Sequence, residues 1–271
     1  MWKEIKIENW NHFNDVIFTL NPKEWIFRGQ CSVEWEIETS LYRECKKFLN
    51  NFNNENCIKV EKNMYEEFCS SYKLYSPTSI EKAPIESTET EWMKERNGIL
   101  AMMQHYGTPT RFLDWTFSPY VATFFALDGA NSDFCIYALK SKSLEEANIV
   151  MIGRNNAAER HKHSAFRKDY KKTPFLYSCE PFEKHERIRR QQGLFLVPSV
   201  IDKTINEILL ESYGIEDGKL GTEEIAYKLI FSKDHLQEWW ARLKHMGITH
   251  ETIYPGLDGF CKSLKLSIIN N

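Results

Sequence analysis

Between His105 and Pro119 the sequence orders one helix to end and another to begin, and that punctuation limits the fold more than any other stretch. Glu91 to His105 has helical spacing, with Trp92, Ile99, Met102 and Met103 as candidates for its buried side. Gly107 suits the left-handed closing position, and Pro109 lacks the amide that would let the helix resume. Ser118-Pro119 then gives the preferred cap and first-turn order for a new helix. Val121, Phe124 and Phe125 form the apolar side of that helix, and Ala122 and Ala126 allow a close neighbour. A turn between helices needs Gly, Pro and one capping side chain. This one also holds His105, Thr108, Thr110, Arg111, Asp114 and Thr116 among Tyr106, Phe112, Trp115 and Phe117. Polar groups interleaved with large aromatics suit a pocket for a ligand with flat rings and polar edges.

Around this centre the pattern is irregular. Trp25 to Arg28 reads as a short strand ended by Gly29, and Phe134–Leu139, Leu194–Val197 and Ile225–Phe231 read as further strands. Leu41 to Tyr72 is helical with a break in the Asn-rich run 50–56. Residues 76–87, with Pro77 and Pro84, form a loop, and Ile188–Gln192, Asp234–Met246 and Gly256–Leu264 are helical. Helices and strands mixed without regular alternation predict an α+β fold with a mixed or antiparallel sheet flanked by helices. At 271 residues the chain has the length of one large domain or two small ones, at about 150 residues each. We expect a single domain over 1–271, with a variable helical insertion at about 47–90 and a basic one at about 150–175.

Such a chain buries roughly three-quarters of its unfolded surface, so its core needs neither disulfides nor metals. Its seven cysteines include no Cys-x-x-Cys, and reduced thiols in a cytoplasmic protein are expected. His161-x-His163 with Cys179 and His185 lacks paired ligands at both ends, so no metal site is expected. The N-terminus alternates charged and apolar residues, and no apolar run is long enough to span a bilayer; neither a leader nor a membrane segment is expected. A net charge of −3 argues against extensive duplex nucleic-acid binding. Residues 154–172 hold seven basic residues against two acidic ones, which reads as a solvated loop or as an anion or RNA contact.

Four blocks carry a resemblance: Phe27-Arg28-Gly29, His105 to Leu127, Glu186 to Val197, and Ile253 to Phe260. Together they resemble the FRG domain family, found mostly in bacteria and their phages and named for its Phe-Arg-Gly signature. More distantly, a strand Arg before Gly followed by Thr-x-Ser-Pro-x-x-Val-Ala-x-x-Phe resembles the core of ADP-ribosyltransferases. That resemblance implies NAD as substrate. Arg28 would contact its phosphate or ribose, Thr116 and Ser118 would frame the nicotinamide ribose, and Gln192 would take the late position that steadies the transition state. That position usually holds an acid, and a neutral Gln gives a developing cation weaker support, so Asp114 or Glu186 would have to supply the charge. His105 would donate a proton or bind phosphate, while Gly29, Gln30, Tyr106, Thr110, Arg111, Asp114 and Trp115 would line the substrate pocket.

Each residue also has an ordinary structural role open to it. Arg28 can pair with Asp114, Ser118 can serve only as a helix cap, and Thr110 and Thr116 can hold a turn. Asp114 can pair with Arg111, His105 can cap helix carbonyls, and Gln192 can satisfy backbone groups. The resemblance implies transfer of ADP-ribose to a protein or nucleic-acid acceptor, or NAD hydrolysis, in a toxin or phage-defence effector. The alternative is a nucleotide sensor without turnover. An RNA binder or nuclease ranks lower, since the sequence shows no carboxylate cluster to hold Mg²⁺. Neither a P-loop nor a G-x-G-x-x-G fingerprint is present.

Overall fold

The computed structural model describes residues 1–75, 89–152, 174–180 and 186–264. The loop 76–87, the basic stretch 154–172 with His161 and His163, His185, and the side chain of Trp92 lie outside the described residues. The strands are β1 (Lys3–Ile7), β2 (Trp25–Gln30), β3 (Leu113–Thr116), β4 (Phe134–Lys140), β5 (Leu176–Cys179), β6 (Gly193–Pro198), β7 (Lys219–Leu220), β8 (Glu223–Glu224) and β9 (Ala226–Phe231). Seven of them form one mixed sheet in the order β1-β9-β4-β2-β3-β6-β5, and β7 and β8 make a separate ribbon. β1 and β9 run parallel, and the other pairings of the large sheet are antiparallel. The α+β class with a mixed sheet flanked by helices is therefore as expected.

The helices are α1 (Trp10–Phe18), α2 (Ser40–Phe48), α3 (Asn54–Ser71), α4 (Glu89–His105), α5 (Pro119–Leu127), α6 (Ser141–Ile152), α7 (Glu186–Arg190), α8 (Ile205–Tyr213), α9 (Leu236–His245), α10 (His250–Ile253) and α11 (Leu257–Ser263). The break between α2 and α3 falls in the Asn-rich run, whose last residues, 54–56, already form the first turn of α3.

Strand alternation divides the core into two layers. Cys135, Tyr137 and Leu139 of β4 face a cluster with Leu100 of α4 and Ile208 of α8, whereas Phe134, Ile136 and Ala138 face Phe13, Phe124 and Trp239. Helices thus cover both faces of the sheet. Ser118 caps α5 as expected, its Oγ accepting from the Val121 amide at 3.3 Å. Gly107 has φ +90°, the left-handed geometry that ends α4.

Two local expectations need correction. Residues 113–116 belong to a strand near the centre of the sheet rather than to a helix–loop–helix connection. Four residues are too few for a two-residue period to stand out, and Asp114 interrupts the apolar pattern because its side chain is exposed. β2 also runs through Gly29 to Gln30 instead of ending there. A Cβ on Gly29 would lie 2.0 Å from the Ala122 carbonyl oxygen and 2.6 Å from the Ala126 amide nitrogen. The glycine is there so that α5 can sit directly on the strand.

Candidate functional site

β2 and β3 meet at one register position, Phe27 opposite Thr116. Continuing that ladder would set Arg28 opposite Trp115 and Gly29 opposite Asp114. Instead β2 follows β4 as far as Gln30, while β3 follows β6, so the sheet splits. Main-chain groups on the open side of β3 lose their ladder partner and need another. Arg28 takes one of them, its Nη1 donating to the Asp114 carbonyl oxygen at 2.6 Å.

A cleft of about 290 Å³ opens in this split, near the lower bound of small-molecule sites. β2 supplies Phe27, Arg28 and Gly29, and β3 supplies Asp114, Trp115 and Thr116. The end of α4 adds Gln104 and His105, α5 adds Phe125, and α7 adds Arg187 and Ile188. Gln191 and the start of β6, Gly193 to Phe195, complete the wall. Aromatic surface and polar groups therefore share one concavity.

Asp114 is the sole acidic residue of the described lining, against Arg28, Arg187 and His105. Gln104 fixes its carboxylate, Nε2 donating to Oδ2 at 2.9 Å, and Thr110 in turn donates to Gln104 Oε1. Water reaches Asp114, yet protein atoms crowd around it, as in any concave wall. That desolvation raises its carboxyl pKa, with Arg28 and Arg187 acting in the opposite direction. Desolvation likewise lowers the Arg28 pKa, opposed by Asp114 and reinforced by Arg43.

Three cleft residues carry buried donors without a hydrogen-bond partner: Arg28 Nε, Trp115 Nε1 and Gln191 Nε2. An unmet buried polar group is destabilising by about 1–3 kcal/mol, and native proteins hold few of them. Three unmet donors among the residues of one cleft suit a ligand rich in acceptor atoms.

Of the residues anticipated from sequence, Arg28, Gly29, His105, Asp114, Trp115 and Thr116 line the cleft. Gln30, Tyr106, Thr110, Arg111, Ser118 and Gln192 are not among its lining. Gln30 Nε2 donates to the Glu36 carbonyl at 3.2 Å, and Tyr106 stands in solvent with its ring edge-on to His105. Thr116 lines the cleft, but its hydroxyl donates to the Gln191 carbonyl at 2.7 Å and accepts from the Ser118 amide at 3.0 Å. With Ser118 Oγ occupied as the helix cap, the two hydroxyls hold the walls together.

Arg111 does not pair with Asp114. It is fully buried and makes a bidentate pair with Glu61 of α3, Nε to Oε1 at 2.7 Å and Nη2 to Oε2 at 2.6 Å. Three residues along extended backbone send two side chains to opposite faces, so Asp114 could not follow Arg111 inward. Gln192 is exposed at φ +47°, which turns its side chain out and leaves Gln191 in the cleft. Gln104, Arg187 and Gln191 escaped notice in the sequence. Gln104 opens the polar run, and Gln191 is the immediate neighbour of the residue singled out.

The fold and site thus define an α+β protein whose split mixed sheet holds a cationic, aromatic-walled cleft. The sequence model of the FRG domain family matches residues 23–134, and this chain carries an FRG domain there. No curated protein matches the chain, and no solved structure matches it. The matched span carries the β2, α4, β3 and α5 walls of the cleft, while Arg187, Gln191 and the β6 wall follow it.

Proposed function

We propose that the cleft binds NAD and that the protein is an ADP-ribosyltransferase-like enzyme or NAD hydrolase. One observation carries the reading: the residues that line one cleft include the Asp114 carboxylate and three, Arg28, Trp115 and Gln191, that hold buried, unmet donors. Unmet donors call for ligand acceptors such as a carboxamide oxygen, ribose oxygens or phosphate. The carboxylate suits a ribose hydroxyl and a developing positive charge. The volume suits one nucleoside half of the dinucleotide, with the rest extending across the mouth.

In the reaction, the bond from C1′ of the nicotinamide ribose to the pyridinium nitrogen breaks. Its electron pair leaves with neutral nicotinamide, and C1′ takes on cationic character. Asp114 balances that charge in place of the late acid that Gln192 lacks. The acceptor, a water or a nucleophilic atom of a protein or nucleic acid, bonds to C1′ and gives its proton to solvent. Thr116 and Ser118 act by holding β3, α5 and the Gln191 turn in place. An enzyme that consumes NAD in this way suits a toxin or phage-defence effector.

The test is release of nicotinamide from NAD by the purified protein. Asp114→Asn keeps the shape of the site and should slow release by about 100-fold or more while NAD still binds. Arg28→Ala should abolish both. Absence of NAD binding by calorimetry overturns the proposal.

A second reading, nucleotide sensing without turnover, is favoured by the existing Gln104 bond to Asp114 and the two guanidiniums that oppose its charge. NAD bound tightly and recovered intact with every acceptor would establish it.

A further inference from the structure

Arg187 differs from Arg190, three residues further along α7. Arg190 is fully engaged, Nη2 lying 2.7 Å from Glu186 and Nη1 donating to the carbonyls of Glu251 and Thr252 at 3.2 and 3.4 Å. It pins α7 to the end of α10. Arg187, one turn earlier, has no carboxylate within ion-pair distance among the described residues. Its guanidinium lies 4.9 Å from the ring centroid of Tyr254, and it lines the cleft.

Tyr254 is held firmly. A Cβ on Gly259 would lie 1.9 Å from the Tyr254 carbonyl oxygen, so α11 packs against the main chain at that point. Lys262 of α11 also lies at this ring, 4.7 Å from its centroid. The ring therefore supports Arg187, a residue that also lines the cleft. Two guanidiniums against one carboxylate leave the described lining with an excess positive charge, which attracts anions.

We infer that Arg187, supported by Tyr254, forms an anion subsite that makes the cleft select a phosphorylated nucleotide over its dephosphorylated nucleoside. This rests on the reading of the cleft as a nucleotide site and adds what determines its choice. A ring contact is weaker than a charge-assisted hydrogen bond to phosphate, so the guanidinium can turn to a diphosphate or bridge both partners. Arg28, bonded to the Asp114 carbonyl, is left to the ribose portion. Lysine at 187 could not reproduce the stacked, forked contact.

Calorimetry with NAD, ADP, inorganic pyrophosphate and nicotinamide riboside tests the assignment. Arg187→Gln should weaken NAD, ADP and pyrophosphate tenfold or more while leaving nicotinamide riboside unchanged. Tyr254→Leu should weaken the same three anions less, and Tyr254→Phe should leave them as in the wild type. Wild-type affinity for the anions in Arg187→Gln, or equal weakening of nicotinamide riboside, overturns the subsite and leaves the NAD proposal standing. Arg187-dependent binding of ADP and pyrophosphate without NAD binding upholds the subsite and removes the dinucleotide reading. No binding of any of the three anions by the wild type removes the subsite.

Discussion

Arg28 reaches across the parting of β2 and β3 to the carbonyl oxygen of Asp114, 86 positions further along the chain, at 2.6 Å. A side chain here substitutes for a missing rung of the ladder. The same guanidinium keeps its Nε buried without a hydrogen-bond partner, and the residue lines the cleft. The FRG signature therefore divides its work. Phe27 belongs to the core facing α5, Arg28 spans the split, and Gly29 lets the helix approach.

Gln191→Ala and Gln192→Ala separate geometry from sequence position. Gln191 lines the cleft with an unmet donor, so its loss should weaken NAD binding about tenfold, the effect of about 1.4 kcal/mol from one hydrogen bond. Gln192→Ala should leave affinity unchanged. Gln192→Gly should raise stability by about 1 kcal/mol, because φ +47° strains any residue with a side chain. Calorimetry and urea unfolding read the two effects.

Asp114 should make the unliganded protein less stable at neutral pH than at low pH, as far as this group alone is concerned. Desolvation raises its folded pKa above the ordinary value of 3.8, so the folded chain holds the proton more tightly than the unfolded chain. Its contribution is fully present below 3.8 and is lost as pH rises through the higher folded pKa. Asp114→Asn should therefore stabilise the apoprotein at pH 7, with the difference from wild type vanishing as pH falls below 3.8. Urea midpoints of both proteins across that range give the answer. A destabilised Asp114→Asn at pH 7 would mean that its contacts with Gln104 and the guanidiniums outweigh the desolvation.

The stop and restart of helix around Gly107 and Ser118 was legible because capping chemistry is local and residue-specific. The strand between them was not. Leu113 to Thr116 is held by β6 and one position of β2, partners that lie 77 or more residues away or precede it by 89, and its own four residues carry no periodic signal. That Arg28 and Asp114 meet was one of the roles that residue chemistry left open, although the contact is to the Asp114 carbonyl rather than an ion pair. Arg187 and Gln191 were hidden because a turn with positive φ decides which of two adjacent glutamines faces inward, and a polar pair reads alike in either order. Arg111 misled for a similar reason: its carboxylate partner comes from α3, 50 positions earlier in the chain.

Gly29→Ala tests whether the signature glycine serves packing. The added methyl would meet the main chain of α5 rather than a movable side chain, at 2.0 Å from the Ala122 oxygen. Relief requires α5 to move off β2, and overpacking of this kind typically destabilises by about 1–3 kcal/mol. A thermal midpoint lowered by several degrees is expected. An unchanged midpoint with lost ligand affinity would instead assign Gly29 to ligand approach.

The Glu61–Arg111 pair should be strongly coupled and separable from the cleft. Both side chains are buried to 1% exposure or less, and Arg96 adds a second cation 3.6 Å from Glu61. Removing one charge leaves the other buried without its partner, a change that destabilises by about 3–5 kcal/mol. Glu61→Gln and Arg111→Met should each show a loss of that order in urea unfolding. Glu61→Met combined with Arg111→Met removes both charges and replaces them with apolar volume, so much of the loss should be recovered, short of what the remaining Arg96 withholds. Near-additive losses in the double variant would show that the two side chains act independently. Because neither residue lines the cleft, the double variant should bind NAD with wild-type affinity wherever it is folded.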